Sequence, residues 1–105
     1  PMGVNIVSMG TLSSSLVHPR EVFRTAIVAG AAAVILGHNH PSGSTEPSRE
    51  DNETTRRISE AGKLIGIPVL DHVIYAFGND GFFSYRSKGL DGYLVSDVHW
   101  GYASR

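Results

Sequence analysis

Apolar and polar positions fall into blocks along the chain, and each block has its own period. Val4–Met9 is a short apolar run rich in β-branched residues and predicts a strand. Gly10–Ser15 is small and polar and reads as a loop. From His18-Pro19 the spacing becomes helical. Proline is tolerated in a first turn, Val22, Phe23, Ala26 and Ile27 form a buried stripe, and Gly30 is the stop. Ala31–Gly37 (AAAVILG) is an unbroken apolar run, as expected of a central strand covered on both faces. Turn chemistry follows at Pro41-Ser42-Gly43-Ser44, and the loop runs on to Pro47.

Ser48 is placed to cap a second helix, which continues to about Ile65 and closes at Gly66. On that helix Asp51, Thr55, Ile58, Gly62 and Ile65 share one face, with Asp51 at its inner end. Ile67–Phe77 predicts a strand, Gly78–Gly81 a hairpin turn and Phe82–Arg86 its partner. The stretch from Ser87 is rich in glycine and aromatics and has no clear period. Helix, short turn and buried strand in succession predict an α/β fold.

Composition narrows the field. At 105 residues the chain is sized for one domain, with 41% hydrophobic and 18% charged residues. Nine basic residues against ten acidic ones give a net charge of −1, which argues against a nucleic-acid backbone or an anionic membrane as partner. No apolar run reaches membrane-spanning length, and no signal peptide is visible. With no cysteine, disulfides and thiolate metal sites are excluded, which fits a cytoplasmic location. Any metal must be held by His, Asp or Glu.

The polar clusters meet that requirement. His38-Asn39-His40 sits at the end of the buried strand. Residues two apart on an extended chain point the same way, ~7 Å apart at about 3.3 Å per residue. Both imidazoles can therefore reach one cation while Asn39 faces away. Asp51, in the first turn of the next helix, is a third candidate, its side chain tilted back toward the histidine loop. Two imidazoles and a carboxylate with a position left for water is a catalytic zinc arrangement. Each cluster also has a plain structural explanation. Two histidines at a strand end can be edge polarity, and Ser48-x-x-Asp51 is a capping box.

The spacing H-x-H, seven residues, S, two residues, D resembles the signature of the JAMM (MPN+) metalloprotease family. The wider string SLVHPREVF…HNHPSG…PSREDN…IGIPVLDHVI is similar to the RadC-like branch of that family over roughly residues 10–88. The resemblance implies a single JAB/MPN domain with a central mixed β-sheet flanked by helices, a layered architecture like that of cytidine deaminases. Residues 89–105 would be an extension. It implies zinc held by His38, His40 and Asp51 with a water in the fourth position, and Ser48 hydrogen-bonding that water or a developing oxyanion. Zinc lowers the pKa of bound water from about 15.7 to roughly 7. The implied reaction is hydrolysis of a peptide or isopeptide bond, with the substrate unspecified. The affinity for zinc is expected to fall as pH drops through about 6, because ligating imidazoles must be neutral.

The family's general base is a glutamate on a strand ahead of the first helix. In this branch that strand, like a helical DNA-binding-type module, would precede Pro1. Glu21 is the one carboxylate upstream of the histidines, and a first-turn position accounts for it through the helix dipole. Asp71-His72 matches the family's DH pair, His18 belongs to the helix start, and His99-Trp100 suits packing or a surface. The letters HNH do not indicate an HNH nuclease, whose three residues are spread over a ββα unit. The rival functions are a non-catalytic scaffold and the DNA-repair role associated with RadC proteins.

Overall fold

The computed structural model describes residues 3–8, 17–40, 42–76, 78 and 81–94, with the first strand described by its backbone. The elements are β1 (Val4–Ser8), α1 (Pro19–Val28), β2 (Ala33–Asn39), α2 (Arg49–Ile65), β3 (Val69–Tyr75) and β4 (Phe82–Ser84). A short 3-10 turn at Asp91–Tyr93 follows. The expected loop at Gly10–Ser15, part of the 78–81 turn, and His99-Trp100 lie outside the described residues.

The strands form one mixed sheet in the order β1-β2-β3-β4, parallel except for the antiparallel β3–β4 pair. Two crossovers moving the same way across a sheet, each right-handed, put both helices on one face. Val22, Phe23 and Ala26 of α1, Ile58 of α2, Val34 and Leu36 of β2, and Val69 and Ile74 of β3 accordingly share one core. Among the described residues no helix is long and apolar enough to cross a membrane.

Several boundaries depart from the sequence expectation for identifiable reasons. β2 starts at Ala33 because the Ala31 amide donates to the Ala26 carbonyl (2.9 Å) and finishes the helix turn. It is also not covered on both faces among the described residues: Ile35 and Gly37 are half-buried between fully buried neighbours. β3 starts at Val69 because the Ile67 amide donates to Gly62 as part of the α2 cap. β4 stops at Ser84 because the Lys88 and Leu90 amides turn back onto Ser84 and Tyr85. Ile27 is 57% exposed, not buried. On a helical wheel it falls ~40° beyond Phe23, outside the ~100° wedge spanned by Val22, Ala26 and Phe23. Ile65 lies on the inner line of α2 but is 46% exposed, since the chain reverses at Gly66 directly after it.

Phe23 of α1 packs directly on Gly62 of α2. A Cβ there would lie 2.5 Å from the Ile67 carbonyl oxygen and 2.9 Å from Phe23 Cζ. Alanine's better helix propensity is worth about 1 kcal/mol, whereas overpacking costs about 1–3 kcal/mol, and the Ile67 backbone, tied to Gly62 through its amide, yields little. Gly62→Ala therefore lowers stability by up to about 2 kcal/mol, read as a drop in the urea unfolding midpoint. A raised midpoint would mean the helices are free to separate.

Candidate metal centre

β2 runs two residues further than its apolar stretch, so His38 and Asn39 are still paired with Ile74 and Tyr75 of β3. The His40 amide continues that pairing, donating to Tyr75 at 2.9 Å. Both imidazoles are thus carried by the C-terminal edge of a central strand. The chain then turns through Gly43, whose φ of 90° suits glycine. This turn brings the Ser44 carbonyl within 2.8 Å of His40 Nδ1. α2 opens with a complete capping box: Asp51 N–H donates to Ser48 Oγ at 3.0 Å, and Ser48 N–H donates to Asp51 Oδ2 at 2.8 Å.

The cap and the histidines converge. His40 Nε2 lies 2.9 Å from Asp51 Oδ2, and His38 Nδ1 lies 3.3 Å from Asp51 Oδ1. One ligand atom from each of the three residues lies within 4.8 Å of the others. The two imidazoles meet edge to face at 4.7 Å. Asp51 is 1% exposed and His38 is buried, while Ser48 is exposed at the rim. Its Oγ accepts from Asp51, which leaves the hydroxyl hydrogen able to donate outward.

This geometry can hold a cation. With Nδ1–H donating to Ser44, neutral His40 turns a bare Nε2 toward a carboxylate oxygen at 2.9 Å, acceptor against acceptor. His38 Nδ1 is buried without a hydrogen-bond partner. A proton or a metal ion resolves both mismatches, and the donor set of two imidazoles and a carboxylate suits a divalent metal. Burial pushes the His38 imidazole down, against the pull of Asp51 and with a further push from His40; a ring held neutral is the ligating form. Burial opposes ionisation of Asp51. The Ser48 N–H, His38, the Ser48 hydroxyl and His40 together outweigh it, and the carboxyl lies below the usual range.

The other candidates lie elsewhere. Glu21 is exposed in the first turn of α1, its carboxylate 3.7 Å from Arg24 and 4.0 Å from Arg20. Among the described residues no further carboxylate joins the triad. His18 starts α1 through its carbonyl, which accepts from Glu21 and Val22, and its exposed ring caps nothing. Asp71 staples β3 to the turn after β4, accepting from the Ser84 hydroxyl (2.5 Å) and the His72 and Arg86 amides. His72 is wholly buried beside His38. Sequence reasoning missed Ser44 as the group that orients His40, and Tyr85, which reaches Asn52. Ser44 acts through its backbone, which no side-chain pattern reveals.

The RadC-like JAB domain profile matches residues 1–90. A UPF0758 protein of Rubrobacter xylanophilus is 63% identical over 84 residues, covering 80% of this chain and 36% of its own. One from Symbiobacterium thermophilum is 61% identical over 87 residues, covering 83% and 36%. One from Clostridioides difficile is 56% identical over 82 residues, covering 78% and 34%. The chain thus spans about a third of the length of these relatives.

Proposed function

The chain belongs to the RadC-like JAB domain family, and from that premise we propose that it is a zinc-binding hydrolase domain of metallopeptidase type, acting on a peptide or isopeptide bond. The observation that carries this reading is the meeting of His38, His40 and Asp51, with a buried carboxylate 3.3 Å and 2.9 Å from a ring nitrogen of each histidine. Zinc, when bound, supplies a Lewis acid that makes water a nucleophile near neutral pH and polarises a scissile carbonyl. The chain's own residues do the rest. His40 is oriented by Ser44, Asp51 by the Ser48 amide, and the outward Ser48 hydroxyl can donate to an oxyanion at the rim.

A metal-holding scaffold without turnover is the second reading, favoured by the lack of another carboxylate in the triad among the described residues. Metal analysis after purification without chelator, followed by assay of the loaded protein on peptide and isopeptide-linked probes, tests both. About one zinc per chain with zinc-dependent cleavage weakened about a hundredfold in Ser48→Ala supports the hydrolase, on the scale of losing one oxyanion donor. Zinc without cleavage supports the scaffold. Absence of near-stoichiometric zinc removes both.

A further inference from the structure

Directly behind the triad lies a buried hydrogen-bonded block. Asp51 projects from α2, and two neighbouring residues of that helix are tied to the rest of the fold. One position on, Asn52 Oδ1 accepts a 2.7 Å hydrogen bond from the Tyr85 hydroxyl. One turn on, the Thr55 hydroxyl donates to the Asp51 carbonyl at 2.7 Å and lies 2.5 Å from His72 Nδ1 on β3. A hydroxyl has one hydrogen to give. With that hydrogen on the Asp51 carbonyl, His72 Nδ1 carries the proton and donates to Thr55. The Tyr85 ring lies flat on His72, at 4.8 Å and 1° between planes, and His72 stacks on His38 at 5.6 Å and 23°. One rigid block therefore backs a ligand on β2 and grips the helix that carries another.

Stability alone does not explain these polar groups. His72 is fully buried and its Nε2 has no hydrogen-bond partner, a placement less favourable than an apolar ring of similar size. We propose that Tyr85, through Asn52, and His72, through Thr55, are positioning residues that fix α2 so that Asp51 stays within coordinating reach of His38 and His40. The inference rests on the metal-binding reading of the triad. Its physical basis is tolerance: metal–ligand distances hold to about ±0.2 Å, whereas one residue of helix slide is about 1.5 Å. Anchors one and four positions beyond Asp51 resist both sliding and rotation.

Zinc affinity by chelator competition in the 105-residue chain tests this, using Thr55→Val, Thr55→Ser and Tyr85→Phe. Thr55→Val removes a hydroxyl with shape kept, Thr55→Ser restores it, and Tyr85→Phe removes one oxygen and decides the matter should Thr55→Val not fold. Thr55→Val and Tyr85→Phe are each expected to weaken zinc binding about tenfold, with Thr55→Ser close to the parent protein, the scale known for groups that orient metal ligands. Equal affinity in all of them, whatever happens to the urea midpoint, overturns the proposal. Amide exchange in metal-free protein separates this idea from the metal reading. Exchange at residues 50–52 rises in Tyr85→Phe if the anchors act, even in a parent that binds no zinc, and unchanged exchange there overturns the proposal as well.

Discussion

Asp51→Asn lowers zinc affinity by at least about a thousandfold, roughly 4 kcal/mol, while the metal-free fold loses far less. The two effects differ in size because a metal needs the charge of the carboxylate, whereas the helix cap needs only an oxygen. An asparagine oxygen can still accept from the Ser48 amide, so the helix start survives. With that oxygen in the Oδ2 position, the side-chain nitrogen takes the Oδ1 position 3.3 Å from His38 Nδ1 and can donate to that unpartnered atom. The neutral amide is a much poorer ligand than the carboxylate it replaces. Isothermal titration with zinc and urea unfolding with chelator present measure the two halves separately. His38→Ala loses zinc as well, whereas Glu21→Ala, altering an exposed residue paired with Arg24, leaves binding intact. Zinc affinity within tenfold of the parent in Asp51→Asn would mean that the ion sits elsewhere.

Acid should destabilise the metal-free protein by about 3 kcal/mol between pH 6.5 and 4 through His72 alone. Burial, reinforced by His38, pushes this imidazole down to about 4, against the pull of Asp51, then Asp71, and with a smaller push from His40. The direction follows from proton counting. Above pH 6.5 the ring is neutral in both states and contributes no pH dependence. Between 6.5 and 4 the unfolded chain takes up a proton that the folded chain refuses, so stability falls as pH falls. Below about 4 both states are protonated and the loss is complete. His38, also pushed down by burial, adds to the same slope. Urea midpoints at pH 7 and 4.5 are expected to differ strongly in the parent and less in His72→Gln. Equal pH sensitivity in the two proteins would show that His72 does not carry a buried neutral ring.

Both helices and the two central strands were legible in the sequence because local signals agreed with the fold there. Pro19 in a first turn, Ser48 as cap and Gly66 as closure each sit where expected. The errors fell where an apolar residue finishes a helix instead of starting a strand, as at Ala31 and Ile67. Hydrophobicity is identical in the two roles, and only the hydrogen-bond partner differs. Ile27 is exposed because it lies beyond the wedge of α1 that the core covers, and Ile65, on the expected face, is half-open because periodicity gives direction but does not say where the neighbouring element ends. The triad was readable since all three residues stand in one short stretch with distinct chemistry. Its support was not: Ser44 contributes a carbonyl, and Tyr85 was one aromatic among several until the turn after β4 brought it under α2.

The ligands and their backing have different ranges along the chain. His40 and Asp51 are eleven residues apart, so bringing them together closes only a small loop. Thr55 meets His72 across seventeen residues, and Asn52 meets Tyr85 across thirty-three. During folding the strand–loop–helix unit can gather its three donors early, and β3 and β4 dock behind them afterwards. A loose grip on the ion would then come first, and a firm one only when the last strand is home.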